Sequence, residues 1–329
     1  MTNTLPQLQG NDLYIAGESY AGIYVPKLAK LMDEYIANNT LSYVPKLKGI
    51  IVGNPVTDYK YDGKPAQFEM AYWFGLIDDV LYKTVKANCD LSYWDFDAGN
   101  LSPNCKAWMN QFNSLIVSIN HYDFLGKCYI EPTPSSPGKL RFSKTERVLS
   151  EQPRPEYYFT EDQYTSFIST PFAEKEGLGN MIPCVFTLPI YYYLNNRTVM
   201  NALHIPATFD KWQFCLDRGD LSYTKSRNGS IEIYSQLRGK YRMLVYSGDT
   251  DGVVSTYGTK AWINQKLAWP VTSQYTQFFV GGQVGGYSEQ RDGGNFTFTT
   301  IHGAGHMAPQ WRRSYAYHAV FSFINKTPL

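Results

Sequence analysis

Three loops of this chain carry residues able to divide between them the work of nucleophilic catalysis. Ser19 lies in Gly17-Glu18-Ser19-Tyr20-Ala21-Gly22, directly after the apolar run Leu13-Tyr14-Ile15-Ala16. Asp249 and Asp251 lie in Ser247-Gly248-Asp249-Thr250-Asp251-Gly252, and His302 and His306 in His302-Gly303-Ala304-Gly305-His306-Met307. A hydroxyl becomes a nucleophile when a base takes its proton and an acid orients that base. The order serine, acid, histidine is one found where the serine sits on a sharp strand-to-helix turn. Such a turn requires small residues two places before and after the serine. Gly17 and Ala21 meet that need, although Ala21 stands where glycine is usual. The helix that follows offers N–H groups to a developing oxyanion. The plainer alternative is an ordinary polar loop serine, which short motifs also match.

These residues need elements to position them. Leu13–Ala16 predicts a strand, Ile23–Ile36 a helix and Leu47–Val52 a second strand. In the helix Val25, Leu28, Ala29, Leu31, Met32, Tyr35 and Ile36 form a broad apolar face. Arg242–Tyr246 and Phe296–Ile301 read as strands that end at the two loops bearing the acids and histidines. Open α/β sheets gather their ligands beyond such strand ends. Between these regions, Lys60 to Ser230 is rich in Pro, Asn, Tyr and Cys, with helical stretches at Tyr72–Ala87 and Lys106–Ile119. Pro132, Pro134 and Pro137 with Ser135 and Ser136 mark an exposed linker, followed by the basic stretch Lys139–Arg147. Gly281–Gly286 and Gly293–Gly294 flank a hairpin. The chain thus divides into residues 1–59, 60–230 and 231–329: an α/β core, an inserted cap, and the returning α/β core.

Composition narrows the function. The chain has 329 residues and a net charge of +1 with 18% charged residues, so no strong field draws it to nucleic acid. No apolar run is long enough to span a bilayer. The 27 tyrosines include Tyr191-Tyr192-Tyr193 and suit broad aromatic surfaces for a peptide or acyl group. His302 and His306 stand four apart, the spacing of a metal pair on a helix, but Gly303 and Gly305 disfavour a helix there, so no metal is expected. His121, His204 and His318 have no ligand constellation beside them and read as structural. No cofactor is called for. Sequons occur at Asn38, Asn100, Asn196, Asn228, Asn295 and Asn325, each open to glycosylation if the chain enters the secretory route. The five cysteines leave one over if the others pair; five buried thiols are the alternative.

At this level of detail the chain resembles the serine carboxypeptidases. The blocks around Ser19, Ser247–Asp251 and Gly303–Met307 carry the likeness, with Gly49-Ile50-Ile51-Val52-Gly53-Asn54-Pro55, Tyr193–Asn196, Ala202–Pro206, Trp212 and Cys215 extending it along almost the whole chain. The resemblance implies an α/β-hydrolase fold with a mixed central sheet and a largely helical inserted cap domain. It assigns Ser19 as nucleophile, His306 as general base and then acid, and Asp251 as the residue orienting His306, leaving Asp249 a structural role. It gives the Tyr20 N–H to the oxyanion hole, Glu18 to the free carboxylate of the substrate's last residue, and Met307 to the pocket for the last side chain. Two neighbouring carboxylates must share a proton, so peptide hydrolysis should favour acid pH. Lysosome, vacuole or secretion follow as locations, and a homodimer is a further expectation. The resemblance also implies the disulfides Cys89–Cys105 and Cys128–Cys184.

The family's early Asn-Gly-Gly-Pro-Gly-Cys-Ser-Ser segment does not occur in this chain. That segment supplies the second oxyanion N–H and the cysteine expected to bond Cys215. The expectation is therefore an amino-terminally truncated carboxypeptidase, with an edge of its sheet unpaired. Losing one oxyanion donor costs ~2.7–4 kcal/mol of transition-state stabilisation, enough to put activity in question. The leading expectation is a serine-type peptidase that releases the carboxy-terminal residue of peptides. The alternatives are an acyltransferase on the same scaffold, which often has aspartate in place of Glu18, and a non-catalytic stabilising partner of other lysosomal enzymes.

Overall fold

The computed structural model describes residues 6–38, 44–91, 101–116, 119–126, 193–209, 212, 224 and 228–329. In chain order its main elements are β1 (Asp12–Glu18), α1 (Ala21–Ala37), β2 (Lys46–Gly53), α2 (Lys64–Trp73), α3 (Asp79–Asn88) and α4 (Pro103–Ile116). There follow α5 (Arg197–Ala202), α6 (Ile231–Leu237), β3 (Arg242–Gly248), α7 (Thr256–Trp262), β4 (Val271–Val280), β5 (Gln283–Arg291), β6 (Phe296–Ile301), α8 (Ala308–Trp311) and α9 (Arg313–Asn325). The strands form one six-stranded sheet in the order β1-β2-β3-β6-β5-β4. β1, β2, β3 and β6 run parallel; β5 pairs antiparallel with both β6 and β4.

Parallel strands covered on both faces read as continuous apolar runs, and β2 and β3 do so. Ile50 and Val52 of β2 join Met243 and Val245 of β3, Phe296 and Phe298 of β6, Val25 and Ala29 of α1, Tyr234 of α6 and Trp262 of α7 in one cluster. On the opposite face Ile51, Leu244, Tyr246 and Ile301 pack with Phe278, Ala319 and Phe323. Alternate residues of the same strands therefore serve two helical layers. Each large apolar side chain so buried contributes roughly 1.5–3 kcal/mol.

The helical stretch expected over Tyr72–Ala87 is two helices. Asp78 restarts the chain as an N-cap, its carboxylate accepting the Leu81 N–H at 2.7 Å. The hairpin is β4–β5, turned at Gly281–Gly282, with Val280 facing Gln283. Two compact units emerge: Met1–Ile116, His121–Gly126 and Lys225–Leu329 form one, and Val117–Asn120 with Lys127–Thr224 the other. Residues 60–116, expected from the sequence to belong to the insertion, cluster with the first unit. The contact of α2 with α7 explains this: Ser255 Oγ donates to Ala66 O at 3.3 Å, and a β-carbon on Gly258 would lie 2.9 Å from that of Ala66.

Candidate active site

Ser19 occupies the turn between β1 and α1 with φ of 64°, in the left-handed region. A non-glycine residue there costs ~1–3 kcal/mol and persists only where its surroundings hold it. Here they do. The Ser19 N–H donates to Gly53 O at 2.9 Å, and its carbonyl accepts from Gly22 N and Val56 N, both at 3.0 Å. A β-carbon on Gly17 would sit 2.5 Å from that of Ala21 and 3.0 Å from Val25 Cγ2; one on Gly22 would meet Val56 O at 2.3 Å. The small flanking residues are thus a steric requirement of the turn. The 17-residue α1 begins two residues after the serine, with Tyr20 as its N-cap.

The acid and base loops meet on the same sheet. Asp251, three residues past β3, and His306, five past β6, are both buried, with His306 Nδ1 2.6 Å from Asp251 Oδ2. The same Oδ2 accepts from Asn54 Nδ2 at 2.7 Å, and Oδ1 accepts the N–H groups of Val253 (2.7 Å) and Val254 (3.2 Å). His306 is fixed from its other side: its N–H donates to Tyr122 O at 2.7 Å, and the Tyr122 ring lies 5.2 Å from the imidazole. Burial opposes a charge on His306, but the Asp251 carboxylate with its hydrogen bond, and Glu18 beside it, outweigh that and raise its pKa.

Ser19 is tied to this pair through the backbone. Gly53, whose carbonyl takes the Ser19 N–H, immediately precedes Asn54. No hydrogen bond of the Ser19 hydroxyl itself is formed among the described residues. Glu18 also belongs to the group: burial raises its pKa, His306 lowers it and Asp251 raises it, with a net rise. Tyr20 directs its hydroxyl to that of Tyr59 at 3.0 Å. Met307 precedes α8 as its N-cap and is part-buried.

Asp249 and His302 form a second pair, Oδ2 to Nδ1 2.8 Å, with the Gly303 N–H donating to Asp249 Oδ1 at 2.7 Å. His302 is exposed, so this pair braces the two loops at the surface beside the buried one. Two contributors went unsingled by sequence, Asn54 and Tyr122. The run Gly53-Asn54-Pro55 at a strand end was the available signal for Asn54; nothing local marked Tyr122.

The remaining predicted residues fall as follows. Cys89 and Cys105 are bonded, with Cα atoms 5.6 Å apart. Cys128, Cys184 and Cys215 lie outside the described residues, as does Asn100. Asn38, Asn196, Asn228, Asn295 and Asn325 are exposed. His121 Nε2 lies 3.0 Å from Ile116 O and the His318 ring packs on Phe278, so both engage in structure. Among the described residues no cluster has the make-up of a metal site, and no helix is long and apolar enough to cross a membrane.

Residues 2–326 match the family model described as serine carboxypeptidase. The chain belongs to the serine carboxypeptidase family and has the α/β-hydrolase fold. It is similar to serine carboxypeptidase 1 of Hordeum vulgare, 29% identical over 323 residues that cover 95% of this chain and 63% of the relative. It is likewise similar to serine carboxypeptidase-like 44 of Arabidopsis thaliana, 32% identical over 329 residues that cover 97% of this chain and 61% of the relative. Among solved structures it resembles Kex1(Δ)p, a prohormone-processing carboxypeptidase from Saccharomyces cerevisiae, with TM-score 0.61 and 16% identity over 99% of this chain and 64% of the other. The chain spans about three-fifths of the length of these curated relatives.

Proposed function

We propose that the chain carries the machinery of a serine-type carboxypeptidase that cleaves the last peptide bond of a substrate with a free carboxylate. The single observation that supports this most is the buried Asp251–His306 pair, with Glu18, the residue before Ser19, close enough to feel the charge of both. In this reading Ser19 Oγ attacks the scissile carbonyl carbon while His306 Nε2 takes its proton. Asp251 holds the Nδ1–H tautomer and stabilises the imidazolium that forms. The tetrahedral intermediate places its oxyanion toward the Tyr20 N–H at the start of α1. Its collapse breaks the C–N bond, and His306 returns the proton to the departing amine. Water then repeats the sequence on the acyl-enzyme, with His306 again as base, and releases the shortened peptide and free Ser19.

Glu18 would bind the substrate's terminal carboxylate through a shared proton, and its raised pKa supports that role at higher pH than an ordinary glutamate could fill. Met307 would border the pocket for the last side chain. The acid preference, the sequons and the disulfide suit a lysosomal, vacuolar or secreted protein. The test is release of the terminal amino acid from a blocked dipeptide at acid pH by the chain and by Ser19→Ala. Release that survives the substitution would exclude Ser19 as nucleophile. Transfer of the acyl group to an added alcohol in preference to water would identify an acyltransferase instead.

A further inference from the structure

We propose that Asn54 is the positioning residue of the active site, fixing the carboxylate that in turn holds His306. The inference rests on the roles given above to Ser19, Asp251 and His306.

Asn54 is the first residue past β2 and is fully buried, with φ of 41°. Asparagine is among the few side chains that tolerate this left-handed backbone. Both ends of its amide are used: Nδ2 donates to Asp251 Oδ2 at 2.7 Å, and Oδ1 accepts the Gly248 N–H at 3.0 Å. Turned over, the amide would set its oxygen against the carboxylate and its NH2 against an N–H, so one orientation alone is satisfied. Its backbone N–H is held too, by Tyr246 O at 2.8 Å. Asn54 therefore contacts β3 at Tyr246 and Gly248, on the strand that leads to Asp251.

The consequence is seen at Asp251. Its two oxygens receive four donors: His306 Nδ1 and Asn54 Nδ2 on Oδ2, and the N–H groups of Val253 and Val254 on Oδ1. A carboxylate has about four lone-pair sites, so each is engaged by one of these donors and the group is fully hydrogen-bonded in one orientation. With Nδ1–H directed at Oδ2, Nε2 is the nitrogen free to act as base. Asn54 also follows Gly53, whose carbonyl takes the Ser19 N–H, so a single strand end sets both the nucleophile's turn and the acid's orientation. An apolar residue of the same size would leave the Gly248 N–H and one carboxylate site unmet in the interior.

The test compares Asn54→Asp, Asn54→Ala and Asn54→Gly in the full chain. Two readouts are followed: kcat and KM against pH on a blocked dipeptide, and the low-field NMR resonance of the His306 Nδ1 proton. Asn54→Gly keeps the backbone conformation while deleting the amide, which separates positioning from misfolding. Asn54→Ala and Asn54→Gly should lower kcat by about ten- to a hundredfold, the worth of a hydrogen bond to a charged group, with KM little changed. In Asn54→Asp the new carboxyl can donate to Asp251 while protonated and repels it once ionised. Its activity should therefore approach the parent's at acid pH and fall away at lower pH than the parent's does. The resonance should weaken or shift in all three. Unchanged kcat, or a loss by the same factor at every pH with the resonance intact, would overturn the proposal. If the parent shows no Ser19-dependent hydrolysis, the functional reading fails, and the resonance still decides: kept in Asn54→Gly, it refutes the role of Asn54; lost there, it supports it.

Discussion

Asp251 Oδ2 stands 2.6 Å from His306 Nδ1 with both side chains buried. An amide in place of that carboxylate would bring an NH2 group against donors already directed there from Asn54, Val253, Val254 or His306. Asp251→Asn should therefore favour the wrong imidazole tautomer. Activity should drop by roughly 10⁴-fold, the effect of the same change in a comparable triad. Steady-state hydrolysis of a blocked dipeptide measures it, and a loss below tenfold would count against the assignment.

In the proposed reading Glu18 sets the alkaline limb of the pH profile, since it must keep a proton to share with the substrate's carboxylate. At the acid limb it is already protonated and has no charge with which to raise the pKa of His306. The glutamine of Glu18→Gln cannot ionise, so the alkaline decline expected as Glu18 loses its proton should weaken while the acid limb stays in place. The variant's kcat/KM profile should be broader than the parent's on the alkaline side. An alkaline decline identical to the parent's would exclude Glu18 from the site.

The turn at Ser19 is a packing constraint open to direct measurement. Gly17→Val drives a branched side chain into Ala21 and Val25, where even one β-carbon would be too close. Overpacking of this kind costs ~1–3 kcal/mol, and the site sits where the backbone has little freedom to yield. In Gly17→Ala the main conflict is with the Ala21 β-carbon, so Ala21→Gly should recover part of the loss. Urea unfolding of the two single variants and the double variant gives the coupling.

Asp62 makes stability depend on pH. It is fully buried, and burial, opposed by the N–H groups of Thr57 and Asp58 and reinforced by the charge of Asp58, pushes its pKa up to about 7. A folded pKa above the unfolded value stabilises the fold fully below the unfolded pKa, near ~3.9 for aspartate, and that contribution fades as pH rises through about 7. A tenfold change in proton affinity corresponds to ~1.4 kcal/mol, so the contribution at acid pH is on the order of a few kcal/mol. Asp62→Asn can keep the accepting oxygen for Thr57 and Asp58 while removing the charge. Its unfolding free energy should be flatter than the parent's between about pH 4 and 7, the range between the unfolded and the folded pKa of this carboxyl. An equal decline in both would show that other groups carry the dependence.

Much of the fold was legible because its strands are buried on both faces. Leu47–Val52, Arg242–Tyr246 and Phe296–Ile301 each lie within strands of the structure, β2, β3 and β6. Leu47–Val52 and Arg242–Tyr246 are largely apolar runs, whereas Phe296–Ile301 alternates Phe with Thr over its first four residues. The break between α2 and α3 was harder to see, since the Asp78 cap lies inside a stretch that otherwise reads as helical. At the candidate site, glycine-flanked loops at strand ends marked Ser19, both acids and both histidines, and the family resemblance alone singled out Asp251 and His306. Asn54 was not marked, because its bond is to a partner 197 positions away, which no local pattern encodes. The Tyr122 carbonyl that holds His306 is a backbone group and leaves no trace in residue type.

Among the described residues β1, the strand that leads into Ser19, is laddered to β2 alone. Segments of a fold open locally with free energies that range from near zero to the global value. An opening of the β1–β2 ladder would release the turn that the Ser19 N–H makes with Gly53 O. In the proposed reading the reactivity of Ser19 therefore depends on how tightly Asp12–Glu18 stays zipped to Lys46–Gly53, and slow amide exchange along that seam is the signature of a site held ready.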